Sequence, residues 1–203
     1  MGRLFVTFEG IDRAGKTTQA RLLAEALGDA AIAVREPGGT AVGERVRELL
    51  KDPEVGVGPE AEALLFAAAR AELVARVIRP ALEAGRVVAS DRYLDSSLAY
   101  QGEGRGVGVE EVAAVNRLAT GGLQPDLTFL LGIDAGAAAA RDGEVDRFEA
   151  EGRALQDAVL AAYERLAEAD PERWRRIDAD RPAEEVHADV LAEVQVARAG
   201  ALA

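Results

Sequence analysis

The sequence has little of several residue types on which common classes of protein depend. Among its 203 residues there is no cysteine, one histidine, and only two lysines among 24 basic residues. Without cysteine the chain can form neither disulfides nor thiolate metal sites. No Ser-His-Asp arrangement or metal-ligand cluster stands out in the sequence, so hydrolase triads and zinc enzymes find no support. A cysteine-free chain is compatible with a reducing compartment, and we expect a cytoplasmic protein.

Charge and hydropathy argue against two kinds of partner. The formal net charge is -12, and a strongly acidic chain is a poor general binder of nucleic acid because such binding rests on phosphate neutralisation. No apolar run approaches the length of a membrane span, and no signal segment opens the chain. We therefore expect no nucleic-acid partner and no membrane partner. The length and the 49% of hydrophobic residues predict one α/β domain over residues 1–203.

The most informative feature present is a phosphate-binding loop near the N-terminus. Residues 10–17 fit the pattern G-x-x-x-x-G-K-[ST] at every fixed position. In such a loop the backbone N–H groups cradle phosphate oxygens, the lysine reaches the β- and γ-phosphates, and the threonine hydroxyl can bind Mg²⁺. With the residue that follows, the loop supplies the first ATP-binding candidates: Gly10, Ile11, Asp12, Arg13, Ala14, Gly15, Lys16, Thr17 and Thr18.

The flanking sequence supports this interpretation of the loop. Residues 4–8 are β-branched and aromatic, which predicts a buried strand, and residues 18–27 carry apolar side chains at helical spacing before Gly28. The N-terminus of that helix would face the bound phosphates. The alternative is a glycine turn with a coincidental lysine, and the strand–loop–helix context favours the nucleotide site.

Strand and helix patterns alternate along the rest of the chain. We predict further strands over 31–35, 86–91, 127–133 and 173–177, and helices over 42–50, 60–83, 110–119, 155–169 and 183–196. Pro80 should bend or end the long helix. A glycine-rich loop is expected over 102–108 and a polar, acidic surface loop over 141–152. The pattern predicts an α/β three-layer P-loop NTPase fold, with a central parallel five-stranded sheet flanked by helices.

A carboxylate and an arginine end the third predicted strand. In open α/β sheets, ligands bind outside the carboxyl ends of the strands. Asp91 stands where a Walker B carboxylate would, and it could hold Mg²⁺ directly or through a water. Arg92 could form a bidentate pair with a phosphate. The alternative is an ordinary strand-end salt bridge.

Two further pairs of residues are candidates for a role in catalysis or ligand binding. Arg13, inside the phosphate loop, would point toward the transferred phosphate like an arginine finger, and Asp12 would contact a hydroxyl, a magnesium-bound water or Arg13. Phe66 and Arg70 lie four apart on one helical face, where they could stack on a base and hydrogen-bond its edge. The alternatives are a core phenylalanine and a solvated arginine.

Several polar and aromatic residues remain. The tract over 100–106 should be flexible; Tyr100 could shape a sugar pocket there, and Arg105 could reach a phosphate or be solvated. We expect His187 at the surface and Trp174 in the core.

Several blocks of sequence together resemble the thymidylate kinase family of P-loop nucleoside monophosphate kinases. They follow one another along nearly the whole chain: FEGIDRAGKTT (8–18), REPGGT (35–40), LFAAAR (65–70), DRY (91–93), SSLAYQG (96–102), QPDLT (124–128) and DRFE (146–149). The REPGGT and DRY blocks are far more specific than the phosphate loop.

The resemblance implies phosphorylation of dTMP to dTDP in dTTP biosynthesis, with MgATP as the donor and Mg²⁺ bound by Thr17 and Asp91. It implies Lys16, Arg13, Arg92 and Asp12 as catalytic residues. It also implies a homodimer and a lid over residues 141–152 that adds Arg141 and Arg147 to the ATP site. The implied dTMP site comprises Asp12, Arg35, Glu36, Pro37, Phe66, Arg70, Arg92, Ser96, Ser97, Tyr100, Gln101 and Gln156.

Within that site the resemblance assigns separate roles. Phe66 would stack on thymine, Arg70 would hydrogen-bond its edge, and Ser97 would face the base. Tyr100 would lie beside the deoxyribose and disfavour a 2′-hydroxyl. The phosphate of dTMP would be bound by Arg92, aided by Arg35, while Asp12 would contact the 3′-hydroxyl or the magnesium shell.

The sequence departs from the family pattern in two places. Some members carry several arginines in the lid and a glycine in the loop, whereas this lid is mostly acidic and the loop has Arg13. It resembles the subtype that supplies its catalytic arginine from the loop. Leu160 stands where relatives often have arginine, so any role of that arginine is lost here or taken over by Arg153.

Two alternative functions stay open. One is a kinase for another monophosphate or for a deoxynucleoside. The other is a P-loop regulatory or assembly protein that binds ATP and acts through partners, which predicts ATP binding without rapid phosphoryl transfer. The features at Phe66, Arg70 and Arg92 argue against a pure switch, since a switch needs no second nucleotide pocket.

Overall fold

A parallel sheet forms the centre of the computed structural model, which describes residues 2–141 and 153–200. The five strands lie in the order β2-β3-β1-β4-β5, and every neighbouring pair is parallel. They are β1 (Leu4–Glu9), β2 (Ala31–Arg35), β3 (Val87–Asp91), β4 (Leu127–Gly132) and β5 (Trp174–Asp178). The predicted fold class is confirmed, and each strand lies within one residue of its predicted bounds.

Helices connect the strands. Within the described residues they are α1 (Lys16–Leu27), α2 (Ala41–Lys51), α3 (Pro59–Leu73), α4 (Arg79–Glu83), α5 (Leu94–Ser97), α6 (Val109–Thr120), α7 (Ala135–Ala139), α8 (Arg153–Ala169) and α9 (Ala183–Gly200). A 3₁₀ turn covers Gly28–Ala30, and π-helical segments cover Val74–Ile78 and Leu98–Gly104. In these two ranges no helix is long and apolar enough to cross a bilayer.

Both faces of the sheet are covered, because successive side chains of a strand point to opposite faces. On one face Phe8 of β1 packs in a core with Leu23 of α1 and Val190 of α9. On the other face Phe5 of β1 packs in a second core with Ile78 of the π-helical turn. A parallel sheet buried on both faces reads as continuous apolar runs in the sequence, which is why the strands were predicted accurately.

The long predicted helix over 60–83 contains a π-helical turn, and Pro80 does not end it. Helix α4 runs to Glu83 with Pro80 as its second residue, and the π-helical turn Val74–Ile78 precedes it. Proline lacks an N–H, and its ring clashes with the carbonyl four residues earlier in a regular helix. A π-helical turn locally changes the hydrogen-bond spacing, so the helix continues past the proline.

The prediction of a flexible glycine-rich loop after Tyr100 was wrong in its first half. Residues 98–104 form a π-helical segment, and Leu98 to Gly102 are buried. Gly104 packs beneath α8, where a Cβ would lie 2.7 Å from Leu155 Cδ1. The glycine there permits close packing rather than mobility. Apart from Arg141, the predicted surface loop over 141–152 lies outside the described residues.

Candidate active site

A cavity of about 620 Å³ opens at the carboxyl ends of β1 and β3. Ligands of open α/β sheets bind at this edge. Of the residues predicted from the sequence, the cavity wall contains Asp12, Arg13, Ala14, Gly15, Lys16, Thr17, Thr18, Glu36, Pro37, Phe66, Arg70, Asp91, Arg92, Ser96, Ser97, Tyr100, Gln101 and Arg141. The tertiary structure thus brings most of the predicted residues into one place.

The loop between β1 and α1 has the backbone that phosphate binding requires. Gly10 has a φ of 138°, and a Cβ there would lie 2.8 Å from the carbonyl oxygen of Leu131. Gly15 has a φ of 98° and immediately precedes α1. Both positions favour glycine, because side chains disfavour positive φ. The first N–H groups of α1 have no partner within the helix and are therefore available to an anion.

Lys16 is buried beneath this loop. Its Nζ donates a hydrogen bond of 2.6 Å to the carbonyl oxygen of Ile11. Burial and the positive charge of Arg92 lower the pKa of Lys16 to about 8, against the opposing effects of nearby carboxylates. A phosphate would restore the missing negative charge, so the position is suited to an anionic ligand.

Two oxygen-bearing side chains meet where β3 ends and α1 begins. Thr17 Oγ1 donates a hydrogen bond to Oδ2 of Asp91, and Asp91 ends β3. Phe8 of β1 is the register partner of Asp91, which brings β3 alongside the strand that leads into the loop. A hydroxyl and a carboxylate are hard oxygen donors of the kind that Mg²⁺ prefers.

Arg92 lies directly after Asp91 in an unusual backbone conformation. Its φ is 69°, a region that non-glycine residues seldom occupy and that is often found at functional sites. The N–H of Arg92 continues the pairing of β3 with β1 through a 3.0 Å hydrogen bond to the carbonyl oxygen of Phe8. The strand-end backbone therefore directs the Arg92 side chain into the cavity wall.

The Arg92 guanidinium is held by a ring of oxygen atoms. Nη2 contacts Asp12 Oδ1 at 2.5 Å and the Tyr100 hydroxyl at 3.4 Å. Nη1 lies 3.0 Å from Ser96 Oγ and 3.3 Å from the Tyr163 hydroxyl. The guanidinium carbon also lies 5.0 Å from the centre of the Tyr100 ring, within reach of a cation–π contact. The long hydrogen bonds to the Tyr100 and Tyr163 hydroxyls are weak, so a charged ligand can replace them as partners of the guanidinium.

Asp12 interacts with two of the cationic groups of the cavity, Arg92 and Lys16. Burial acts to raise the pKa of its carboxyl, but Arg92 and Lys16 outweigh burial and hold that pKa below its usual value. Its second oxygen, Oδ2, is buried and has no hydrogen-bond partner within the described ranges. That oxygen can accept a hydrogen bond from a ligand hydroxyl or water.

Arg70 is packed into the wall rather than solvated. The residue is 1% exposed, and its Nε and Nη2 lie 2.7 and 2.6 Å from Glu36 Oε2. Nη1 donates to Ser97 Oγ at 3.1 Å and to Asn116 Oδ1, and Nη2 also donates to the carbonyl oxygen of Tyr93 at 3.0 Å. Each nitrogen of Arg70 therefore already has a protein partner.

Burial governs the acid beside Arg70. It raises the pKa of Glu36, while the charge and the hydrogen bonds of Arg70 act in the opposite direction. Phe66, one turn before Arg70 on α3, is half-buried and lines the cavity while packing on a small core with Val46 and Leu50. Phe66 thus packs on a core and also lines the cavity, whereas the alternative of a solvated Arg70 is wrong.

The loop arginine makes a reciprocal contact with the residue that precedes the undescribed segment. Arg13 Nη1 donates to the carbonyl oxygen of Arg141 at 3.1 Å, and Arg141 Nη1 donates to the carbonyl oxygen of Arg13 at 3.2 Å. Arg141 Nη2 also donates to the carbonyl oxygen of Ala179 at 2.5 Å. Arg13 itself has a φ of 62°. The two arginines therefore lie together at one side of the cavity.

Some predicted site residues lie elsewhere. Arg35 does not line the cavity; its Nη2 pairs with Glu44 at 2.9 and 2.8 Å from the two carboxylate oxygens. Gly10, Ile11 and Gln156 are also absent from the wall. Arg147 lies outside the described residues, as does the side chain of Arg153. Leu160 is partly buried and packs against the main core.

Of two remaining expectations, the one for Trp174 was confirmed and the one for His187 was confirmed only in part. Trp174 is in the core, at 4% exposure. His187 is half-buried rather than fully exposed, and burial lowers its pKa. Arg105 lies beside the buried acid Glu62, a position that was not predicted.

The sequence did not point to several buried polar residues around the cavity. Glu9 accepts hydrogen bonds from the backbone N–H of Tyr93 at 2.9 Å and from the hydroxyls of Ser96 and Tyr163 at 2.5 and 3.0 Å. A glutamate at the end of an apolar strand was the available signal for Glu9. Tyr163 gave no such signal, because it lies within an ordinary amphipathic helical pattern.

These groups together can hold two anions side by side. The first N–H groups of α1 and Lys16 are suited to one phosphate, and Arg92 is suited to another. Both side chains line the same cavity. A cavity that neutralises two neighbouring phosphates, with oxygen ligands for a divalent cation, has the parts that phosphoryl transfer requires. Fold and site together define a P-loop nucleotide-binding protein with a further cationic side chain, Arg92, in the same cavity as its phosphate loop.

Comparison with known proteins places the chain within that class. The family model described as thymidylate kinase matches residues 8–190. A thymidylate kinase of Pelotomaculum thermopropionicum is 51% identical over 195 residues, spanning 92% of this chain and 90% of the relative. One from Deinococcus radiodurans is 48% identical, over 94% of this chain and 96% of the relative. The chain belongs to the thymidylate kinase family.

A solved structure agrees with this assignment. The crystal structure of thymidylate kinase from Ehrlichia chaffeensis matches with a TM-score of 0.80 and 32% sequence identity. The match covers 96% of this chain and 100% of that one. The predicted family is confirmed.

Proposed function

We propose that this protein transfers the γ-phosphoryl group of MgATP to dTMP and forms dTDP, a step of dTTP biosynthesis. The observation that carries the proposal is a single cavity with the phosphate loop on one side and Arg92, Phe66 and Ser97 on the other. A regulatory protein that binds only ATP would not need this second group of residues in the cavity. Family membership supports the same reaction.

The chain would act mainly by positioning and by neutralising charge, which is what phosphoryl transfer asks of a protein. Lys16 and the N-terminus of α1 would bind the β- and γ-phosphates of ATP, and Arg92 would bind the phosphate of dTMP. Arg13 lies within the loop and would neutralise charge that develops on the transferred group. The acceptor is already a phosphate anion, so no strong general base is required.

The contact between Thr17 and Asp91 fits a magnesium site. We propose that the Thr17 hydroxyl holds Mg²⁺ and that Asp91 holds it directly or through a water. The donor set supports this, because both groups offer oxygen ligands at the mouth of the phosphate loop. Bound with ATP, Mg²⁺ would offset negative charge on the β- and γ-phosphates.

The acceptor side would bind the nucleoside of dTMP. Phe66 would stack on thymine, Tyr100 would lie beside the deoxyribose, and Asp12 Oδ2 is an unpartnered acceptor suited to a sugar hydroxyl or a metal-bound water. Ser97 and Gln101 line the same wall. The base-edge contact proposed for Arg70 would require it to exchange or share one of its present partners.

The remaining proposals concern the whole protein. We propose one domain over residues 1–203 with a lid over 141–152, a cytoplasmic location, and a homodimer. The dimer proposal is supported by exposed apolar side chains on α3 and on the two helices that pack against it, α2 and α6: Val42 and Leu49 of α2, Leu64 of α3 and Leu118 of α6. Light scattering of the purified protein tests it, and the variant Leu118→Asp should shift the protein toward the monomer.

A substrate panel tests the reaction. ADP release is measured in a coupled assay with dTMP, dUMP, dCMP, dGMP and AMP as acceptors. We expect a strong preference for dTMP, whereas a preference for another monophosphate would overturn the assignment. ATP binding without transfer to any acceptor would support a regulatory P-loop protein instead.

Lys16→Ala supplies the matched test of the donor site. We expect it to fold normally and lose nearly all turnover, while the control Arg45→Ala, at an exposed α2 side chain that does not line the cavity, retains far more. Near-normal turnover of Lys16→Ala in the same assay would refute the assignment of the donor site.

A further inference from the structure

Behind the cavity wall lies a buried acid that phosphoryl transfer does not use. Glu62 lies in the first turn of α3 and is 1% exposed. Buried carboxylates are rare unless they are paired and hydrogen-bonded. Phe66, which we propose stacks on the base, lines the cavity from the same helix, one turn after Glu62.

Glu62 is held against the segment that follows Arg92. Its Oε1 accepts hydrogen bonds from Gln101 Nε2 at 3.0 Å and from Arg105 Nε at 3.1 Å, and its Oε2 lies 3.3 Å from Arg105 Nη2. Gln101 lies within the π-helical segment Leu98–Gly104, and Arg105 directly follows it. The ion pair with Arg105 thus supplies the opposite charge that a buried carboxylate needs.

The contact with Glu62 determines which way the Gln101 amide faces. A side-chain amide offers a donor at its nitrogen and an acceptor at its oxygen, whereas a carboxylate can only accept. Glu62 therefore selects the orientation in which the Gln101 nitrogen faces the acid. Gln101 is 2% exposed and lines the cavity, so its Oε1 is the atom left to meet a ligand as a hydrogen-bond acceptor.

A fixed acceptor discriminates between pyrimidine bases. Thymine and uracil carry a donor, N–H, at ring position 3, while cytosine has an unprotonated nitrogen there that is itself an acceptor. An amide free to rotate by half a turn could serve either base. An amide tied to a carboxylate could serve only the N–H form, because cytosine would place two acceptors against each other.

We propose that Glu62, supported by Arg105, is a positioning residue that sets base specificity by locking the Gln101 amide with its oxygen toward the acceptor nucleotide. The proposal rests on the proposed function. Glu62 touches neither nucleotide in this scheme, and it acts through Gln101. The ligand class selected is a pyrimidine monophosphate with an N–H at position 3.

The variant Glu62→Gln tests this directly. Its amide has nearly the shape of the acid but can donate as well as accept, so Gln101 can adopt both orientations. We measure kcat/KM for dTMP and dCMP and expect their ratio to fall by roughly 5- to 150-fold, the range that corresponds to one unsatisfied buried polar group. The change should lie mainly in KM, since no group that touches the transferred phosphoryl is altered.

Glu60→Gln is the matched control, because Glu60 lies in the same turn of α3 but is exposed. It should leave the ratio unchanged, and thermal melting verifies that both variants fold. An unchanged dTMP-to-dCMP ratio in a folded Glu62→Gln protein would overturn the proposal. If the wild type failed to phosphorylate dTMP at all, the proposed function would fail instead, so the two failures are distinguishable.

If Glu62→Gln does not fold, a variant of Gln101 tests the proposal instead. Gln101→Leu keeps the approximate size of the side chain and removes its acceptor. The proposal expects the same fall in the dTMP-to-dCMP ratio. A folded Gln101→Leu protein that discriminates as the wild type does would overturn it, since the locked amide could then carry no specificity.

Discussion

Arg70 and Arg92 line the same cavity but differ in burial and in the groups that they contact. Arg70 is 1% exposed and ion-paired with the equally buried Glu36. Arg92 keeps 15% of its side chain exposed, has a positive φ, and rests mainly on longer contacts to hydroxyl and carbonyl oxygens, with Asp12 as its ion-pair partner. Arg70 is thus fixed in the wall by buried partners, whereas Arg92 is the arginine to which we assign the acceptor phosphate in the proposed reaction. Two arginines that look alike in a motif can therefore serve stability and ligand binding separately.

The largest expected effect falls on stability, at Arg70. Arg70→Met leaves Glu36 buried without its counter-charge, and breaking a buried pair in this way costs about 3–5 kcal/mol. Urea denaturation measures the loss. Glu36→Gln in the Arg70→Met background should recover part of it, because the uncompensated charge is removed. An Arg70→Met protein as stable as the wild type would contradict the stabilising role that we assign to Arg70.

Arg92 should show the opposite behaviour, with a loss of activity and little loss of stability. Arg92→Ala removes a group that neutralises charge on the reacting phosphates, by analogy about 2.7–4 kcal/mol in the transition state or roughly 10²–10³ in kcat/KM. Steady-state kinetics with dTMP measures it. Arg45→Ala, at an arginine with 83% side-chain exposure on α2, is the control and should remain active. Comparable kinetics for the two variants would contradict the assigned role.

A smaller effect is expected from the acid behind Arg92. Burial, followed by the charge of Asp95, raises the pKa of Glu9 to about 7, against hydrogen bonds that act to lower it. At pH values between about 4.5 and about 7 the folded protein keeps Glu9 protonated, whereas the unfolded chain releases the proton. The contribution of Glu9 to the free energy of unfolding is therefore lost as pH rises through this range.

Glu9→Gln should flatten the dependence of the unfolding free energy on pH in that window. Denaturation at a series of pH values measures the slope. Glu44→Gln, at a half-exposed acid on α2, should leave the slope near that of the wild type. An unaltered slope in Glu9→Gln would show that Glu9 does not titrate there.

The smallest effect concerns protons taken up on ATP binding. The pKa of Lys16 is lowered to about 8 when no phosphate is bound, and the negative charge of ATP should raise it. Binding near pH 8 should therefore be accompanied by a fraction of a proton taken up. Calorimetric titrations in buffers with different ionisation enthalpies measure this, and an enthalpy independent of the buffer would contradict it.

Local patterns in the sequence were sufficient for the strands, the phosphate loop and the Asp91–Arg92 strand end. Each depends on residues close in sequence, such as the apolar run of β1 followed by Gly10 and Gly15. The π-helical segment after Ser97 was missed, because glycines that permit close packing look like glycines that permit turns. Arg35 was placed at the acceptor phosphate, whereas it pairs with Glu44 outside the cavity wall.

The buried polar contacts behind the site could not be predicted in the same way. Tyr163 reaches Glu9 across 154 positions of sequence, and Arg105 reaches Glu62 across 43. No local periodicity indicates which acid a distant donor will meet, because that depends on how helices α3 and α8 pack around the sheet. The orientation of Gln101 depends on such a contact.

The sequence by itself determined the order of strands and helices, the phosphate loop with Lys16, and the family to which the chain belongs, because these are local patterns of residue type. Only the tertiary structure decided that Arg70 is buried in an ion pair while Arg92 keeps part of its side chain exposed in the cavity, and that Glu62 meets Gln101. The physical reason is that burial and the choice of partner decide what a charged side chain can do, and both are set by elements far apart in the chain.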